Sequence, residues 1–175
     1  GWRHGPVRSV RERTRDAAER YADLAPDVRA DLPAVLCELG ATRLARTDTD
    51  GARAAFTDAH RLAAVSGAAA AEARAAVGAA LTCTVTGGIK DARAWIDEAS
   101  RAAASADPAD VADLMPVLAG ARALAAIAGV DLPAARAAVV DAIGGDAEVM
   151  SLGALARAQL SLLEGGQYEE FEEFE

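Results

Sequence analysis

The side chains equipped for catalysis or metal binding are few. His4 and His60 are the only imidazoles, and Cys37 and Cys83 the only thiols, in 175 residues. A zinc cluster gathers three or four such ligands and usually shows it in close spacings such as Cys-x-x-Cys, which this chain lacks. A fold would have to bring His60 near Cys37 or Asp58. The expectation is instead a solvated helical histidine and no metal site. Nucleophilic catalysis needs Cys37, Cys83 or a serine beside His60, and no Gly-x-Ser-x-Gly turn supports that arrangement. The phosphate-cradling Gly-x-x-x-x-Gly-Lys-Ser/Thr loop is excluded because the single lysine, Lys90, lies between Ile89 and Asp91. Adjacent carboxylates such as Asp97–Glu98 and Glu169–Glu170 point to different sides of a helix and read as solvation. The expectation is a protein without catalytic residues or cofactor.

The elements that position these residues follow from a repetition. "DGARAAFTDA" at 50–59 returns as "KDARAWIDEA" at 90–99 and more loosely as "LPAARAAVVDA" at 132–142. Alignment places Ala52, Ala92 and Ala135 together, then Phe56, Ile96 and Val139 four residues on, then Ala59, Ala99 and Ala142. Small, large, small at i, i+4, i+7 is one helix face, which allows a close crossing with a partner while the large residue fills the gap. Another apolar helix precedes each phrase, with turn signals between them: "TDTD" in the first unit, Gly87–Gly88 in the second, and Gly129 with Pro133 in the third. The unit is helix, short turn, helix.

Leu36, Leu39, Gly40, Asp48, Ala52, Phe56 and Ala59 together resemble the pattern of the tetratricopeptide repeat family. The later units keep less of it: Ala79 and Ala80 replace the Leu-Gly pair, and the equivalent alanines are 40 and 43 residues apart where the family's period is about 34. Such long, degenerate repeats resemble those of large bacterial LuxR-type and related ATP-binding transcription regulators. The resemblance implies an all-α, right-handed α-solenoid of antiparallel helix pairs in one domain. The expected parts are an N-terminal helix at 1–29 and helix-pair units at 30–68, 69–107, 108–145 and 146–175. Within these, helices are expected near 28–46, 50–66, 70–86, 89–105, 109–128 and 132–143. "LTCTVT" is assigned to a helix because both flanks continue the repeat.

The resemblance further implies a concave groove lined by the first helix of each pair: Cys37, Ala41, Leu44, Arg74, Val77, Leu81, Thr84, Leu124 and Ile127. That surface is mostly apolar, so an apolar or amphipathic helix suits it better than an acidic C-terminal tail. The other reading is that these residues form inner core because the longer repeats shift the phase. Arg53, Arg93 and Arg136 recur just after the anchoring alanines and read as solvation, against the alternative of a cationic track for an acidic peptide.

Composition limits the partners. Alanine dominates a 52% hydrophobic composition with only 4% aromatics, which suits close helix packing. The net charge of −9 disfavours nucleic-acid phosphates, and the opening arginines of residues 1–20 are interleaved with Glu12, Asp16 and Glu19. No run of eighteen apolar residues suggests a membrane span. A cytoplasmic, non-catalytic protein-interaction or regulatory module is the functional expectation, and a small-molecule effector domain with an apolar pocket between helix pairs is the competing one. In "GGQYEEFEEFE", Tyr168, Phe171 and Phe174 form an apolar stripe. It either packs back on Leu155, Leu160 and Leu163 or docks on a second copy to make a homodimer.

Overall fold

The computed structural model describes residues 26–143, which form seven helices and, among the described residues, no strand: α1 (Pro26–Ala45), α2 (Thr49–Ser66), α3 (Ala69–Val85), α4 (Ile89–Ser105), α5 (Pro108–Val111), α6 (Leu114–Ala128) and α7 (Leu132–Ile143). None of these is long and apolar enough to cross a membrane. Each long helix packs on its chain neighbour. The first helices of the expected units also touch in a row, α1 on α3 and α3 on α6.

Four turns share one geometry. The amide after a residue of positive φ donates back to a helix carbonyl: Asp48 to Arg43, Ala68 to Ala63, Gly88 to Cys83 and Asp131 to Ala126, at 2.8–2.9 Å. The positive-φ residues are Thr47, Gly67, Gly87 and Val130. These bonds satisfy carbonyls that the ending helix leaves without partners. The Asp48 carboxylate then accepts from Gly51 N at 3.0 Å and starts α2.

The aligned positions of the three phrases are buried alike. Ala52, Ala92 and Ala135 are fully buried, and Phe56, Ile96 and Val139 nearly so. Ala59 and Ala99 are also fully buried. Phe56 inserts between α1 and α3 at two glycines, Gly40 and Gly78, where an added Cβ would stand 2.9 and 2.2 Å from its ring. Trp95 packs against both the Phe56 cluster and the larger core formed by α3, α4 and α6, linking the first two units.

"LTCTVT" is helical through Val85, with Thr86 as the cap that ends α3. Thr82, Thr84 and Thr86 return their hydroxyls to the carbonyls of Gly78, Ala80 and Thr82, which reconciles their branched side chains with the helix.

The helix expected over 109–128 is divided at residues 112–113, and Pro116 favours the division. In a continuous helix its ring would clash with the Ala112 carbonyl, whereas a fresh start at Leu114 puts it in the first turn, where no N–H is required. Residues 1–25 of the expected N-terminal helix and the fourth unit at 146–175 lie outside the described residues, as do Tyr168, Phe171 and Phe174, while residues 26–29 belong to α1.

Candidate functional site

Two polar constellations sit on this framework. The first joins α2, α3 and α4. His60 lies one helical turn beyond Phe56, so its imidazole leaves the core at the edge of the same face. Its Nε2 is 3.1 Å from Glu98 Oε1 on α4 and 3.6 Å from Glu72 Oε1 on α3. The Trp95 ring meets the imidazole edge-on, with centroids 5.1 Å apart. Arg101 donates through Nη2 to Glu72 Oε1 at 3.2 Å and to Glu98 Oε1. This guanidinium, with a smaller contribution from His60, holds the Glu98 carboxyl below its ordinary range. The three donor atoms of His60, Glu72 and Glu98 all lie within 4.8 Å of one another.

His60 is therefore not the solvated residue expected from sequence: only 14% of its side chain is exposed. Its partners lie far along the chain, but the repeat carried a trace of them. Asp58 and Arg61 align with Glu98 and Arg101, and each pair forms an i,i+3 ion pair. The extra methylene of glutamate lets Glu98 also reach back to α2. His60 itself aligns with Ser100, which accepts a hydrogen bond from Arg122 Nη2 at 2.7 Å. At equivalent positions of α2 and α4, then, a polar side chain engages the first helix of the following unit.

The second constellation is an open cleft of about 470 Å³ between α4, α6 and α7. Ile96, Ala125, Ala126 and Ala138 give it an apolar floor. Arg93, Asp97, Arg122, Asp131 and Asp141 supply charges of both signs around it. Alanine creates this space because side chains so short leave a gap where two larger rows would interdigitate.

The residues expected to line a groove are not on one surface. Val77 and Ile127 are buried. Cys37, Leu44, Leu81 and Leu124 are half-buried against four different clusters, and Ala41 is exposed. Thr84 is half-buried with its hydroxyl bonded to Ala80 O. Arg74 lies across α3 to the start of α6, where it donates to both Asp113 carboxylate oxygens at 2.7 and 2.8 Å and to Asp110 O at 2.9 Å. Arg53 and Arg93 are exposed, with carboxylates of Asp50 and Asp131 at 3.5 and 3.9 Å.

No family model, no curated protein and no solved structure matches this chain.

Proposed function

We propose that the chain is a non-catalytic binding module, a regulatory or protein-interaction segment of a larger cytoplasmic bacterial regulator. Its helix pairs are taken to stack as a right-handed α-solenoid. The row of first helices and the recurring turn support that stacking. The parent class rests on the resemblance of the long, degenerate repeats, with equivalent alanines 40 and 43 residues apart, to those of such regulators.

The observation that carries the binding reading is the cleft between α4, α6 and α7. An apolar floor edged by Arg and Asp side chains suits an amphipathic helix whose apolar stripe is flanked by charges. The test is fluorescence polarisation against a panel of amphipathic helical peptides. Saturable binding lost in Ala134→Trp, which fills the cleft from its exposed rim, supports the reading. Binding unaffected by that change refutes it.

One specific observation favours a second reading. The cleft volume falls within the range of small-molecule pockets, roughly 300–1,000 Å³, and its paired charges suit a zwitterionic effector. Saturable thermal stabilisation by such a metabolite, with no peptide binding, would select that reading.

A further inference from the structure

We infer that His60, Glu72 and Glu98 form a binding site for a divalent cation of the zinc class, for which the Arg101 guanidinium is the built-in competitor. This inference does not depend on the cleft or its ligand.

The first argument is donor geometry. Zinc bonds to imidazole nitrogen and carboxylate oxygen of about 2.0–2.2 Å, set in a tetrahedron, place neighbouring donors roughly 3.3–3.6 Å apart. His60 Nε2 stands 3.1 Å from Glu98 Oε1 and 3.6 Å from Glu72 Oε1, close to those separations, and all three donors lie within 4.8 Å of one another, so coordination requires the carboxylates to draw together as Arg101 withdraws. The second argument is preorganisation. Each donor comes from a different helix, and the fully buried Ala59 and Ala99, beside His60 and Glu98, anchor two of those helices in the core. The third is the donor set, one imidazole and two carboxylates, which suits a borderline cation and neutralises its charge.

Arg101 explains how the cluster is stable as it stands. Its Nη2 donates to the same two Oε1 atoms that would ligate the metal, so guanidinium and cation compete for them. Its side chain is 61% exposed and can leave toward solvent, while the incoming cation takes over the charge of Glu72 and Glu98, which are only 13% and 29% exposed. A bound cation then cross-links α2, α3 and α4 in its place, leaving a coordination position on the side from which Arg101 withdrew.

Isothermal titration of the chain with zinc chloride tests this, with Arg101→Ala, His60→Gln and Glu98→Gln variants and magnesium chloride as a second probe. Circular dichroism verifies that each variant keeps its helical content. The expected result is one-to-one zinc binding in the wild type, roughly fivefold tighter in Arg101→Ala, and lost in His60→Gln. If His60→Gln does not fold, Glu98→Gln is expected to show the same loss. Absence of saturable zinc binding in both the wild type and Arg101→Ala overturns the inference. So does undiminished binding in the folded ligand variants, which would place the metal elsewhere, for example on the glutamates of 164–175. Magnesium binding as tight as zinc also overturns it, because a site that uses imidazole favours the softer ion.

Discussion

The Phe56 ring lies so close to the backbone of Gly78 that a Cβ added there would stand 2.2 Å from Cε1. Phe56 is 5% exposed and has little room to retreat. This contact sets how closely α2 approaches α3.

Gly78→Ala is therefore expected to destabilise the fold by about 1–3 kcal/mol through overpacking, despite alanine's better helix propensity. Chemical denaturation measures it, and a double-mutant cycle with Phe56→Leu tests the cause. The alanine penalty should shrink when the ring is gone. An equal penalty in both backgrounds would refute the contact as its source.

Val130 holds a φ of 56° at the α6–α7 turn and is 73% exposed. A β-branched residue in this region costs roughly 1–2 kcal/mol relative to glycine, and little packing is lost on truncating an exposed side chain. Val130→Gly should raise stability by about 1 kcal/mol, less what glycine's freedom in the unfolded chain takes back. Gly87→Ala at the equivalent turn, where φ is 77°, should lower it by a similar amount. A melting temperature unchanged in both variants would show that the turns do not constrain these residues.

Arg74 holds the Asp113 carboxyl below its ordinary range through two hydrogen bonds. The stability linked to this shift is fully present above the unfolded value of about 3.9. It is lost as pH falls through the lower folded value. Both side chains are well exposed, so Arg74→Ala should cost less than about 1 kcal/mol at pH 7. The gap between variant and wild type should narrow as pH falls below that unfolded value and close once Asp113 is protonated in the fold. A gap that stays constant down to pH 2 would assign the effect to packing of the arginine stem.

Burial, reinforced by the neighbouring Glu38 charge, pushes the Cys37 thiol up to about 11. Thiolate is then a very small fraction at pH 8. Alkylation of Cys37 in the native chain should be at least about tenfold slower than in the unfolded chain, and should accelerate between pH 8 and 10. Peptide mapping separates it from Cys83. Rapid native labelling of Cys37 at pH 7.5 would contradict the buried setting.

What the sequence by itself determined is local. The small–large–small phrases specified faces that are indeed buried, at Ala52, Phe56 and Ala59 and again at Ala92, Ile96 and Ala99. Asp48 and Gly87 marked two of the turns, because glycine accepts positive φ and aspartate caps the next helix. The helix start at Leu114 has a local cause too, Pro116 in its first turn, although Pro33 within α1 shows that a proline does not by itself end a helix. These features depend on a residue and its neighbours within one or two turns.

Only the tertiary structure decided which polar groups meet. His60 and Glu98 are 38 positions apart, and Arg74 and Asp113 are 39. Their encounter depends on the rotation of each helix about its axis and on interhelix spacings set by residues such as Gly78 and Phe56. An error of one position in register turns a helical side chain by about 100°, enough to separate His60 from both glutamates. The same phase places Val77 in the core and Ala41 at the surface, a division that neither the groove nor the inner-core expectation contains. Periodicity shows that a helix has a buried face, while side-chain volumes at the crossings decide what that face and its edges touch.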